Sequence, residues 1–244
     1  RVRTQAPAAG SPGAVASASV DRKAFSAEPE NRPKTERFRL TFWEYVTLGF
    51  RHIIPHGADH MLFVVGLLLS HTLLPGRWSW LRGLALQLSV FTVAHSVTLA
   101  LGSLGAVSAN SRIIEPLIAL SIVYVGIEPL LLGWWLDRAG AANGPKSQRL
   151  ALWRRSSVVF LFGLLHGLGF AAALATRGLD PGALFSSLLA FNLGVEGGQL
   201  CVAAVGAALC FGLRPRPFYK TWVLAPLCAL ISGVGLFWFI ERLS

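Results

Sequence analysis

Charge is scarce in this 244-residue chain: Asp, Glu, Lys and Arg together make up 14% of it, against about a quarter in an ordinary soluble domain. The scarcity is uneven, because residues 1–40 hold twelve of the thirty-four charged side chains. Residues 41–244 are poorer still, and that excludes a conventional soluble globule for them. Cysteine is nearly absent too. Cys201, Cys210 and Cys228 lie inside apolar runs and form no CxxC or other zinc-type spacing; buried thiols of this kind act as small hydrophobes. There is no HExxH, and no Ser or Cys nucleophile elbow. The net charge is +10, yet no basic stripe with interleaved aromatics exists, which argues against nucleic acid as a partner.

What the chain does have is apolar runs of helical length. A spanning helix needs roughly 20 apolar residues to cross a hydrocarbon core of about 30 Å. Six runs qualify, at 57–74, 82–102, 113–136, 156–176, 182–212 and 219–241. The expected fold class is therefore all-α: a polytopic transmembrane helical bundle of about six spans over residues 41–244, with the lipid bilayer as its first partner. Residues 1–40, rich in Ala, Ser, Pro and charge and without a periodic apolar face, are expected to be a disordered extension. The chain starts at Arg1 with no hydrophobic signal, so a removed leader or a trimmed start is expected.

Basic residues set an orientation. The connections after spans one, three and five carry Arg77, Arg82, Arg138, Lys146, Arg149, Arg154, Arg155, Arg214, Arg216 and Lys220; the others carry only Arg112, Arg177 and Arg242. Such a bias places the basic loops in the cytoplasm and both termini outside it. The expected location is the bacterial inner membrane. Just before the first span, residues 41–54 extend the first segment to about 50 Å of continuous helix, too long for one crossing. Pro55 and Gly57 are the natural break. An interfacial or re-entrant half-helix is expected there, with Trp43 and Tyr45 at the interface.

Ionisable groups within a bilayer cost at least a few kcal/mol each, so each needs a reason. All six histidines lie between positions 52 and 166, four of them in the first segment. On an unbroken helix, His52, His56, Asp59 and His60 would share one face, drifting about 40° per step between the histidines. Unwound backbone beside such residues is a common way to build ion sites. Imidazole with carboxylate suits a borderline divalent metal. Asp59 would either ligate or orient a ligating histidine. His56 and His71 read equally well as interfacial histidines. His95 lies roughly 10 Å below the outer end of its span. His166 sits among glycines that permit close helix approach. Glu115, beside Pro116, also reads as a first-turn carboxylate, whereas Glu128, before Pro129, is deeper. Asn192, Glu196 and Gln199 fall at i, i+4 and i+7, one hydrophilic stripe within about 40°. His60, His95, His166 and Glu196 share a similar depth on four helices, as a common polar cavity requires. The candidate metal set is thus His52, Asp59, His60, His95, His166 and Glu196, with His56, Glu115, Glu128, Asn192 and Gln199 as polar lining.

Taken together, the motifs resemble the HupE/UreJ family. The matching pieces are His52-x4-Gly57-x-Asp59-His60, Phe91-Thr92-x-Ala94-His95-Ser96-x-Thr98-Leu99, Glu115-x2-Ile118-Ala119-Leu120-Ser121, Phe162-Gly163-x2-His166-Gly167-x-Gly169-Phe170-Ala171 and Phe191-Asn192-x-Gly194-Val195-Glu196-x-Gly198-Gln199-Leu200. The resemblance covers about residues 41–244. It implies a nickel or cobalt permease-like membrane protein with a cleaved leader, and its His/Asp motif falls on His52, Asp59 and His60. Ile53 stands where the hydrogenase-linked branch has a proline, and His56 where a non-ligand is expected; both point to the urease-accessory-like branch.

Three readings stay open at this point. One is a transporter or facilitator of a transition metal, nickel first, with cobalt, zinc and copper as alternatives, in which ions pass from His52 and His56 to the deeper ligands. The second is an intramembrane metalloenzyme with a carboxylate such as Glu196 as acid or base. The third is a non-enzymatic subunit, or a metalloenzyme-maturation or assembly partner of a membrane complex, in one version with histidines on haem.

Overall fold

A computed structural model describes residues 40–74, 77–108, 110–139, 145–175 and 184–244, with side chains undescribed at 77–79, 135–139, 145–152 and 172–175. The expectation of a disordered extension over residues 1–39 lies outside the described residues. Every regular element among the described residues is helical: α1 (Phe42–Ile53), α2 (Ala58–Thr72), α3 (Arg77–Ser103), α4 (Ser111–Ala139), α5 (Pro145–Ala175), α6 (Leu184–Leu213) and α7 (Ala225–Leu243), the last preceded by a π-helical turn at Tyr219–Leu224.

Helix α1 begins where a capping box forms. The Thr41 hydroxyl accepts from the Glu44 N–H at 3.3 Å, and the Glu44 carboxylate accepts from the Thr41 N–H at 2.7 Å. Two orphan donors of the first turn are thereby satisfied. The helix ends at Ile54, whose extended backbone (φ −121°, ψ 117°) is what a following proline demands. After Pro55, His56 and Gly57 the chain re-enters helix as α2, bent 69° from α1. The expected break at Pro55–Gly57 is present. At 12 residues, α1 is about 18 Å long, too short to cross a bilayer alone. It does not lie loose at an interface: Tyr45, Gly49 and Ile53 are buried, and it packs along α6. Trp43 is 72% exposed, as an interfacial ring should be, but Tyr45 is only 6% exposed.

Among the described residues, four helical stretches are long and apolar enough to cross a membrane: Trp80–Ser103, Ser111–Trp134, Leu184–Leu213 and Tyr219–Leu243; α1 with α2 makes a fifth as one broken span. The remaining expected span, 156–176, falls on α5, whose described side chains end at Ala171, and it is not among the five. Helix α5 also starts earlier than expected, so Arg154 and Arg155 are helical residues rather than loop residues. Large apolar side chains face outward along these helices, for example Leu86, Val93 and Val97 on α3, Leu131 on α4 and Phe237 and Ile240 on α7. In water such surface would be a liability. In lipid it is the solvent-facing side.

The bundle is organised by three extensive helix pairs, α3 with α5, α4 with α7 and α1 with α6. All three bring backbone close to backbone, α4 and α7 at Gly126 and Gly235. A Cβ at Gly49 would collide with the Phe191 carbonyl oxygen, and one at Gly194 with that of Val46. On α5, a Cβ at Gly163 would stand 2.5 Å from the Phe91 carbonyl oxygen and 2.8 Å from the Ala94 methyl. Small residues at such crossings are how membrane helices approach closely.

Gly49→Val is therefore expected to cost about 1–3 kcal/mol, the usual range for overpacking, seen as a lower unfolding temperature of the purified protein in detergent. Gly212→Ala, at a position with nothing within 4 Å of the added methyl, should leave that temperature unchanged or raise it. Equal effects from the two would contradict the packing described.

Candidate metal centre

Four histidines from four helices converge inside the bundle. His52 stands in the last turn of α1, and His60 in the first turn of α2. The 69° bend folds these two turns together, so their rings lie 4.7 Å apart despite the broken helix. His95 comes from α3, with its ring 6.0 Å from His52 and 5.8 Å from His60. His166 comes from α5, 4.8 Å from His60. His60, His95 and His166 are buried, at 6%, 0% and 2% exposure.

Their nitrogens are the unusual feature. His52 Nε2, His60 Nε2, both nitrogens of His95 and His166 Nε2 are buried without a hydrogen-bond partner. Buried polar groups are normally paired, and each exception calls for an explanation. The His166 ring has a defined tautomer. Its Nδ1 lies 2.8 Å from the Phe162 carbonyl oxygen, so Nδ1 carries the proton and Nε2 presents a lone pair. One ligand nitrogen from each of His52, His60 and His95 lies within 4.8 Å of the others. Nitrogens about 2.1 Å from a shared ion stand at most about 4.2 Å apart, so a small contraction of the side chains would let the three bind one ion.

Aromatic rings close the group on two sides. Phe170 and Phe191 stack on each other at 5.1 Å, 11° from parallel, and both pack on His52. On the opposite side Phe91 meets His60, His95 and His166 at 5.8, 6.2 and 5.1 Å, while Phe63 packs 4.8 Å from Phe91 and 5.5 Å from His166. The spacing Phe162-x3-His166-x3-Phe170 places one ring a helical turn before His166 and one a turn after it. That periodicity was visible in the sequence and went unused.

The other expected residues are distributed around this core. Asn192 donates to the Leu188 carbonyl at 2.8 Å and lies beside His95. Gln199, fully buried, accepts from the Thr92 hydroxyl at 3.1 Å. Glu196 accepts from the Ser89 hydroxyl at 3.0 Å, six residues or roughly 9 Å along α3 from His95; it does not join the three-histidine group. Asp59 is not in the three-histidine group and pairs with Arg242 of α7, at 3.0 and 3.2 Å to its two oxygens. Arg242 also donates to the Glu115 backbone carbonyl at 3.1 Å, while Glu115 itself is exposed. His56 is exposed in the break. Glu128 pairs with Arg155 at 3.1 Å. His71, which could be read as interfacial, is fully buried, with Nδ1 2.8 Å from the Leu67 carbonyl oxygen. Nothing local in the sequence announces Arg242 or Arg155 as partners, because the carboxylates they meet come from distant helices.

Neutral imidazoles bind borderline divalent ions well and hard ions such as magnesium poorly. Outer groups that orient a ligating ring typically contribute 10–100-fold in metal affinity. Asn192→Ala should therefore weaken cobalt or nickel binding by roughly tenfold without changing the number of ions bound, as measured by equilibrium titration of the purified protein. Unchanged affinity would remove Asn192 from the site. A family profile described as HupE / UreJ protein matches residues 29–242 of the chain. No curated protein and no solved structure matches it.

Proposed function

The chain belongs to the HupE/UreJ family, whose members are metal transport or accessory proteins, and on that premise we propose that it carries a divalent transition metal, nickel first, across the bacterial inner membrane through the site at His52, His60, His95 and His166. The observation that carries the reading is the set of buried, unpartnered imidazole nitrogens, three of them from separate helices within 4.8 Å. In an apolar bundle each unpaired polar group costs free energy. A dehydrated cation offsets that cost at one nitrogen of each ring that ligates it.

Transport suits the site better than catalysis. The walls are phenylalanine rings, and the ligand nitrogens of His52, His60 and His95 lie within 4.8 Å of one another, a spacing suited to a bare ion rather than an organic substrate. His60 is in ring contact with both His52 and His166, a packing that favours one ion over a macrocycle. An ion held between two aromatic layers must leave when one of them moves, as alternating access requires. Four neutral imidazoles supply no negative charge to a dication. Asp59, next in sequence to His60 and paired with Arg242, is a nearby carboxylate for the second sphere, and Glu196 of α6 meets α3 at Ser89. Without Arg154 and Arg155, which are helical, the bias of basic residues is still eight to three, and on the positive-inside rule the Asp59 end is the outer one, with His52 towards the outer approach.

Cells expressing the wild-type chain should accumulate more nickel than cells without it, and His60→Ala or His95→Ala should abolish the difference while the protein still reaches the membrane. Loss of a ligating imidazole should weaken affinity by at least roughly tenfold. Because protons compete for the same lone pairs, affinity should fall as pH falls. Accumulation that is indifferent to both substitutions would sink the proposal.

A further inference from the structure

A second polar group lies deeper in the bundle, on the far side of the Phe63, Phe91 and Phe162 layer. The Arg155 guanidinium lies between α2 and α4. Its Nε stands 3.1 Å from a Glu128 carboxylate oxygen, and it donates at 3.3 Å to the Leu67 carbonyl. The Ser70 hydroxyl donates to the other Glu128 oxygen at 2.6 Å. The side chains of Arg155 and Glu128 are only 9% and 17% exposed. Pro129 follows Glu128 and has no N–H to give the Val125 carbonyl one turn earlier. That carbonyl faces α2 at Gly66, a turn above Ser70. Beside this group is His71, fully buried, with Nδ1 on the same Leu67 carbonyl and Nε2 without a partner.

Two helices agree on the separation from the imidazole site. From His60 to Ser70 along α2 is about 15 Å, and from His166 back to Arg155 along α5 about 16 Å. The two polar groups are thus separate levels of one bundle, and aromatic rings divide them.

We propose that Glu128, Ser70 and the Leu67 and Val125 carbonyls form a second, inner cation station, which Arg155 occupies as a tethered cation when no metal is there. The inference rests on the transport reading of the imidazole site and adds its next stop. A guanidinium held by a carboxylate and a carbonyl marks a place already arranged to solvate positive charge. The donors here are oxygen, which hold nickel, cobalt or zinc less tightly than imidazole nitrogen does. An ion moving inward therefore passes from a tighter to a looser set, and conduction needs a site that is weak enough to leave. Displacing Arg155 frees the guanidinium to move towards the cytoplasmic side, where the basic bias places the start of α5. A buried ion pair contributes little to stability compared with well-packed neutral groups, which makes a purely structural role separable by substitution.

Cobalt is the probe, because its visible absorption reports the imidazole site while elemental analysis counts every bound ion. Full-length wild type should bind one cobalt per chain. Arg155→Gln should bind a second, weaker equivalent, since Glu128 is then unoccupied. The double variant E128Q/R155M, in which neutral groups of similar bulk replace the pair, should return to one equivalent with the wild-type imidazole band, yet carry cobalt into proteoliposomes at least about tenfold more slowly. One equivalent in Arg155→Gln, or wild-type flux through E128Q/R155M, overturns the inner station. The second measurement decides the matter even if Arg155→Gln fails to fold. A wild type without the imidazole band overturns the reading of the outer site instead, and the station is then read as one equivalent more in Arg155→Gln than in wild type.

Discussion

A methyl group at Gly49 would collide with the Phe191 carbonyl oxygen, and a methyl at Gly167 would collide with that of His95. These contacts are between backbones, so nothing can be trimmed to relieve them. They fix where the histidines stand. The approach of α1 to α6 brings the last turn of α1, and with it His52, into the bundle beside Phe191. The approach of α5 to α3 sets His166 and His95 around the same centre. Without a hydrophobic force between helices in lipid, close packing of small residues is what holds such pairs together. The imidazole group is a consequence of it.

The polar groups of the bundle then divide into two kinds. Most are satisfied within the protein. Arg242 ties Asp59 of α2 to the Glu115 carbonyl of α4, and Arg155 ties Glu128 of α4 to the Leu67 carbonyl of α2. The same two helices are thus clamped at both ends by arginines from α7 and α5. Tyr219 donates to Thr72 at 2.9 Å, and Arg214 donates to the Leu74 carbonyl. The imidazoles between the clamps are of the other kind, buried with unpartnered nitrogens, as are Trp80 Nε1, His71 Nε2 and both Gln87 amide atoms elsewhere. A chain that pairs its remote carboxylates yet leaves Nε2 of His52, His60 and His166 and both nitrogens of His95 without a partner holds donors suited to an ion that arrives from outside.

Much of this was legible from residue order. Apolar runs of spanning length gave the helices, because a bilayer imposes a length that sequence must meet. Pro55 and Gly57 gave the break, because proline has no amide hydrogen and clashes with the preceding turn. His60, His95 and His166 could be matched by depth, since rise per residue is fixed. What could not be read was direction around the helix axis across a bend, and pairing between distant helices. Asp59 is adjacent to His60 and shares a helical face with His52 on an unbroken helix, yet it turns to Arg242. That residue lies 183 positions away. Arg155 read as a loop cation because the apolar run begins after it; the helix extends past the run and carries it inward to Glu128. The burial of Tyr45 was likewise not legible, since nothing in its neighbourhood specifies which helix packs on α1.

The claim on which the account turns is that one ion is held by imidazoles of His52, His60, His95 and His166. Nickel K-edge X-ray absorption of the purified full-length chain, loaded with one equivalent of nickel, examines that directly. The account predicts at least three nitrogen neighbours at about 2.0–2.1 Å with the outer scattering of imidazole rings. A shell made only of oxygen, as around the hydrated ion, would contradict it.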